Sequence, residues 1–169
     1  HPIALNKNLT TKEIKNVLGA LKFIDNKIYK IIFTYPNYDP NYEIILNQIN
    51  HFIKSHKNAK LIPHLGTQIY HSLMYYFGKD NLGICIGNSS SLIKEAPFFN
   101  CPSIIIGNRQ RGRYSYKKIV FTQPKKEIII KKISEITKSF NYKTAPNIFN
   151  NINLKKIIKK TIHLRSKKN

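Results

Sequence analysis

Residues Gly87 to Pro97 read Gly-Asn-Ser-Ser-Ser-Leu-Ile-Lys-Glu-Ala-Pro, an apolar strand end followed by three serines and the apolar start of a helix. Where a strand turns into a helix, the first N–H groups have no partner of their own. With hydroxyls beside them and the positive end of the helix dipole behind, they converge on one anion. A diphosphate suits such a turn through Ser89 and Ser90, which can donate from both side chain and main chain. The same serines also fit a simpler role as helix caps. Glu95 lies about one and a half turns on. Its two oxygens suit the vicinal hydroxyls of a ribose, and an acid near a helix start equally serves the dipole.

Two further loops carry polar groups at strand ends. Gly107 to Arg113 places Arg109, Arg111 and Arg113 just after an apolar run, where guanidinium groups can meet phosphate or fix a neighbouring loop. In an extended segment Arg109 and Arg111 would point in opposite directions. Tyr35 to Pro40 holds Asn37 and Asp39 between prolines: Asn37 is a candidate ligand contact, and Asp39 reads most simply as a cap for the next helix. Among six histidines, His1 and His64 fall at predicted strand ends, while His51, His56 and His71 read as surface or boundary residues on helices. No His-x-x-x-His spacing and no carboxylate cluster points to a metal, and no cofactor is expected.

Apolar runs and turn residues alternate so that strand and helix follow one another. Thr10-x-x-Glu13 has the form of a capping box opening a helix to about Asp25, with Ile14, Val17, Leu18 and Leu21 on one face. Strands are predicted at Tyr29 to Thr34, Ala59 to Ile62, Leu82 to Ile86, Ser103 to Ile106 and Lys118 to Phe121. Helices are predicted at Asn41 to Ser55, Thr67 to Phe77, Ser90 to Phe98 and Lys125 to Phe140, with a basic helical tail. Helices between strands imply right-handed crossovers and a parallel sheet covered on both faces. The fold class is therefore α/β, a Rossmann-like three-layer α/β/α arrangement with a mostly parallel sheet. In such sheets ligands bind beyond the carboxyl ends of the strands, so the loops starting at Tyr35, Gly87 and Gly107 should share one rim. His1 is expected to follow a strand lying upstream of it.

The chain has 169 residues, 29 Lys+Arg against 8 Asp+Glu and a net charge of +21, with 41% hydrophobic residues, which suffices for the core of a single domain and excludes general disorder. No apolar run approaches the roughly 20 residues of a membrane span, so a soluble protein without a membrane partner is expected. Cys85 and Cys101 sit in apolar runs without metal spacing and read as core residues of a reducing, cytoplasmic compartment. The opening His1-Pro2 reads as a cut within a longer polypeptide, not as a signal peptide. Lys155 to Lys168 carries seven basic residues and no acid, with Leu154, Ile157, Ile158 and Ile162 at helical spacing on the other side. It reads first as an amphipathic helix with a solvated basic face and second as a polyanion site. Because the other lysines are scattered and no nucleic-acid motif accompanies them, no nucleic-acid partner is expected.

Taken together, the motifs resemble the hydrolysing UDP-N-acetylglucosamine 2-epimerases, whose C-terminal half carries His-Pro, Pro-Asn-x-Asp, Gly-Asn-Ser-Ser-x-Gly-x-x-Glu and Gly-x-Arg-Gln-x-Gly-Arg segments. Here they are His1-Pro2, Pro36 to Asp39, Gly87 to Glu95 and Gly107 to Arg113, in the same order and at similar separations. The likeness covers about residues 1 to 140 and leaves 151 to 169 as a basic helix and tail. One position departs: Leu92 stands where the family has Gly, adding bulk where the helix approaches the sheet or ligand.

The resemblance implies the C-terminal domain of a GT-B-like two-domain fold, with the N-terminal domain absent from this chain and the nucleotide held mainly here. It implies UDP bound with Ser89 and Ser90 on the diphosphate, Glu95 on the ribose, Arg109 and Asn37 nearby, and the main chain around His64 and Leu65 on the uracil. His1 matches a histidine assisting departure of UDP. The implied reaction converts UDP-GlcNAc and water to ManNAc and UDP, or acts on a 2,4-diacetamido relative, for sialic-acid-like sugar synthesis. Its main carboxylates belong to the other domain, so this chain alone is expected to be inactive, and a homo-oligomer is expected. A GT-B glycosyltransferase domain is one alternative, and a basic module for nucleic acid or anionic surfaces is another.

Overall fold

A computed structural model describes residues 1–3, 6–24, 30–79, 82–113 and 116–138. The first helix, α1 (Lys7–Leu21), starts earlier than the capping box suggests. Asn6 is its cap, its side chain accepting the Leu9 N–H at 2.9 Å. Thr10 is buried instead: its hydroxyl accepts the Ile3 N–H at 3.0 Å and faces the Ile3 carbonyl at 3.3 Å, pinning the segment after His1 to α1.

Strand β1 (Ile31–Thr34) follows, then α2 (Tyr42–Ser55), β2 (Ala59–Ile62), α3 (Gly66–Lys79) and β3 (Cys85–Gly87). The helix expected from Ser90 to Phe98 is broken: a single turn, α4 (Ser91–Lys94), gives way at Glu95 to a 3-10 turn, Ala96–Phe99. Pro97 is the reason, since it supplies no N–H to an α-helical ladder but fits the first turn of a new coil. Strands β4 (Ser103–Ile106) and β5 (Ile119–Thr122) and helix α5 (Lys126–Thr137) complete the described chain. Asp25, Tyr29, Phe140 and the basic tail lie outside the described residues.

Every strand pair is parallel, as the crossovers require. Strands β1 and β2 pair with Ile31 opposite Ala59, and β3, β4 and β5 pair in that order, with Cys85 opposite Ser103 and Ile104 opposite Val120. The single sheet expected from the alternation is thus divided into a two-stranded and a three-stranded part. The three-stranded part is covered on two faces, and the β1–β2 pair packs its Ile31, Phe33, Ala59 and Leu61 face on α1 and α2. Alternation along β4 sends Ile104 and Ile106 into one core with α1, α2 and α5, and Ile105 into another with Met74 of α3, Leu92 and Ile93 of α4 and Ala96. All four residues of β4 are buried, which marks it as a strand interior to three layers. The fold is α/β and Rossmann-like, and it delivers the loops after β1, β3 and β4 to one edge.

Close helix packing makes one glycine indispensable. A Cβ at Gly78 of α3 would run into the Phe99 carbonyl oxygen and lie 2.8 Å from the Asn100 carbonyl carbon, whereas one at Gly19 of α1 would meet only the flexible Lys126 side chain at 3.4 Å. Gly78→Ala should therefore lose about 1–3 kcal/mol in urea unfolding. Gly19→Ala, in an open helix interior, should be neutral or gain up to roughly 1 kcal/mol.

Candidate functional site

The rim beyond β1, β3 and β4 is built around Asn88, the buried residue just after β3. Its Oδ1 accepts from the His1 amino group at 2.7 Å, and its Nδ2 donates to the His1 carbonyl at 2.8 Å. From the loop after β4, Gln110 donates Nε2 to the Asn88 carbonyl at 2.9 Å. The ring of His1 reaches the other way: its Nδ1 accepts the Asn37 N–H, after β1, at 3.0 Å. Arg109 closes the circuit through Asp39 at 3.3 Å. The loops after β1, β3 and β4 and the His1 segment are therefore joined into one ring of contacts.

This ring brings together His1, Asn37, Arg109 and the start of the serine loop. Arg109 does what one of its two sequence readings proposed, fixing a neighbouring loop. Asp39 is not the side-chain cap expected of it: α2 is preceded by Asn41 in the left-handed region without a side-chain cap bond, and only the Asp39 carbonyl receives the Tyr42 N–H. The arginine loop is not extended either. It turns, with the Arg111 N–H on the Asn108 carbonyl at 3.0 Å, so Gln110 is buried while Arg109 and Arg111 stay exposed.

Among the serines, Ser89 folds its hydroxyl onto its own loop, accepting from the Ser91 hydroxyl at 3.0 Å and the Ser91 N–H at 3.4 Å. Ser90 precedes α4 but makes no side-chain cap bond. Since α4 is a single turn, its dipole would add little at this turn, which leaves the hydroxyls and main-chain N–H groups as the polar groups it offers. Leu92 turns inward, 4% exposed, with its Cδ1 under Gly87 and not on the rim, so the bulk that replaces the family glycine fills core.

Glu95 stands where α4 meets the 3-10 turn, and its Oε2 is 2.7 Å from His71 Nε2. His71 is thus not the idle boundary residue its helical position suggests. Its ring also lies 5.0 Å from that of Phe99. Tyr70, its neighbour in α3, meets the Ser91 hydroxyl at 2.8 Å, and burial holds the Tyr70 hydroxyl above its usual range. These two side chains attach α3 to the serine segment. His64 is exposed in the loop after β2, and among the described residues no hydrogen bond ties it to the ring. Leu65 beside it reaches the cavity under the rim.

Four contributors were missed in the sequence. Asn88 and Gln110 lie inside the matched motifs, but their part is to join loops, which no local spacing announces. His71 depends on a contact between separate helices. Glu13 was assigned to a cap, yet it faces the rim: a Cβ at Gly107, whose φ is +75°, would sit 3.3 Å from Glu13 Oε1. Burial raises the Glu13 carboxyl, and the His1 amino group pulls it back. The cysteines are neighbours, Sγ to Sγ 3.6 Å, and both are free thiols. Among the described residues no group of three or more metal-ligating side chains occurs, and no helix is long and apolar enough to cross a membrane.

Comparison with known proteins places these loops in context. The sequence model of the family described as UDP-N-acetylglucosamine 2-epimerase matches residues 1–163. A Campylobacter jejuni protein named GDP/UDP-N,N'-diacetylbacillosamine 2-epimerase (hydrolyzing) is 43% identical over 122 residues, covering 71% of this chain and 30% of that protein. Polysialic acid biosynthesis protein P7 of Escherichia coli is 30% identical over 134 residues, 79% of this chain and 32% of its own. A Neisseria meningitidis protein named UDP-N-acetylglucosamine 2-epimerase is 29% identical over 122 residues, 72% and 30% respectively. The chain spans about a third of the length of these relatives.

The ring also has a measurable electrostatic signature. Burial, and then Arg109, push the His1 amino group down from its usual 8.0 to about 6, with Asp39 and Glu13 acting in the opposite sense. A group whose folded pKa is depressed contributes stability that is full above pH 8 and is lost as pH falls towards 6, in total roughly 2–3 kcal/mol. Thermal unfolding of this chain between those pH values should show that slope, and acetylating the amino group should flatten it.

Proposed function

The chain belongs to the UDP-N-acetylglucosamine 2-epimerase family, and from that premise we propose that it is the nucleotide-binding lobe of a hydrolysing epimerase. Its substrate is a UDP-linked 2-acetamido or 2,4-diacetamido sugar, and its product serves the synthesis of sialic-acid-like sugars. The observation that carries this reading is the ring joining His1, Asn37, Asn88, Arg109 and Gln110 at the strand ends, where α/β sheets bind ligands.

In this assignment the diphosphate lies on the main-chain N–H and hydroxyl groups of Ser89 and Ser90, with Arg109 beside it. Glu95, one oxygen engaged by His71, accepts from the ribose hydroxyls. Asn37 and the main chain near His64 complete the nucleotide contacts. The bond from the sugar C1 to the diphosphate oxygen breaks as the C2 proton passes to a base outside this chain, leaving a glycal-like intermediate. Water then adds its hydroxyl at C1 and a proton at C2, on the opposite face. His1 and Arg109 stabilise the charge that develops on the departing diphosphate, which is where preorganised donors lower a barrier. The lobe needs its partner domain for proton transfer at C2, works as a homo-oligomer in the cytoplasm and uses no cofactor.

The test uses the full-length polypeptide that contains this lobe, given UDP-GlcNAc or its diacetamido relative and no acceptor. Release of UDP together with the free 2-epimer is expected; UDP released only when an acceptor is added would identify a glycosyltransferase instead. In calorimetry Arg109→Ala should weaken UDP binding by about 1.5–3 kcal/mol, the range for a charged hydrogen bond. Unchanged affinity would remove Arg109 from the site. Binding that ignores Ser89→Ala but falls steeply with salt would mark a polyanion surface.

A further inference from the structure

Two successive side chains of α3 reach the serine segment, and they end on different kinds of group. Tyr70 meets the Ser91 hydroxyl at 2.8 Å, a contact that fastens helix to loop. His71 meets Glu95, with 2.7 Å from Nε2 to Oε2. A carboxylate only accepts hydrogen bonds, so Nε2 carries the hydrogen and donates.

The two partners are mounted differently. His71 lies inside a 14-residue helix whose next three residues, Ser72, Leu73 and Met74, are all buried. Its ring is 5.0 Å from that of Phe99, and α3 packs so closely there that Gly78 has no room for a Cβ against the Phe99 carbonyl. Glu95, by contrast, sits at a joint. It closes α4 and opens the 3-10 turn, so no continuous helix runs through it. Its side chain has three torsions and is 41% exposed, and among the described residues Oε1 has no partner. A Glu left loose must give up that freedom when a ligand binds, whereas one already held has less to lose. Because a partly exposed pair adds little to stability, orientation is the larger effect this contact can have.

We propose that His71 is a positioning residue for nucleotide binding, donating to Glu95 Oε2 so that Oε1 is held ready for the ribose hydroxyls. This rests on the reading of Glu95 as the ribose acceptor and adds what makes that acceptor selective. The effect of His71 is exerted through the carboxylate, so contacts to the diphosphate and the base do not depend on it. An acceptor fixed in advance rewards a nucleotide that carries the hydroxyls and leaves Oε1 unpaired against one that lacks them. The site would therefore favour a ribonucleoside diphosphate over its dideoxy counterpart, and His71 would set a share of that preference.

The experiment measures, by calorimetry on the full-length polypeptide that contains this lobe, the affinities of UDP and 2′,3′-dideoxy-UDP, and reads their ratio. His71→Phe keeps a ring beside Phe99 and removes the donor, while His71→Gln keeps an N–H donor. The phenylalanine form should weaken UDP about three- to tenfold, the scale of ordering one Glu side chain, and leave the dideoxy ligand within about twofold. The glutamine form should restore most of the ratio. Once Glu95→Ala is present, adding His71→Phe should change nothing further. If the phenylalanine form does not fold, His71→Leu is read in its place by the same ratio. A ratio untouched by His71→Phe but abolished by Glu95→Ala would overturn the role of His71 and leave the ribose assignment standing. Equal weakening of both ligands would also overturn it, by marking His71 as a support of the fold alone. A ratio that Glu95→Ala does not move, or no UDP binding at all, would remove the ribose assignment and this inference with it.

Discussion

A buried carboxamide has four hydrogen-bonding sites and little tolerance for leaving them empty, and at Asn88 that demand organises the whole rim. Its side chain is spent on both polar ends of His1, and its carbonyl is claimed by Gln110. Those contacts tie three loops that are far apart in sequence. The outer Arg109–Asp39 contact, about a third exposed on both sides, adds closure more than energy, because exposed ion pairs are worth only about 0–1 kcal/mol. The polar groups offered to a ligand are thus placed by an interior residue that need not touch one.

The core beneath explains why such loops can be short and still hold position. Strand β4 feeds a core on each face, Ile104 and Ile106 to one and Ile105 to the other, so its end is immobilised from both sides. The loop from Gly107 starts on that fixed point. Strand β3 is anchored to it by three paired residues, and Leu92 fills the space under Gly87. The serine loop is therefore set on packed side chains below, while Tyr70 and His71 fasten it laterally to α3.

Much of this was legible beforehand because local pattern and tertiary role coincide. Two strands, Ala59–Ile62 and Ser103–Ile106, match their expected bounds, since runs such as Ser103-Ile-Ile-Ile suit only a strand buried on both faces. The loops were found because strand ends carry Gly, Asn, Ser and Arg. Misreadings arose where one residue type serves two ends. Thr10 and Glu13 have capping-box spacing, but Thr10 is used to hold Ile3 and Glu13 faces Gly107, leaving the cap to Asn6. His71, Gln110 and the division of the sheet depend on partners distant in the chain, and hydropathy along a sequence carries no record of which edges meet.

Helix α1 gives the arrangement a mechanical property. It packs against α2, which overlies β1 and β2, and against α5, which packs beside β5; Asn16 also holds the Pro124 carbonyl at 2.8 Å. The same helix grips Ile3 through Thr10, two residues from the histidine at the mouth of the site. It is a lever with its fulcrum in the core and its short arm at the rim beyond the strand ends. Repacking its hidden side would be transmitted to His1 without altering any group that faces solvent.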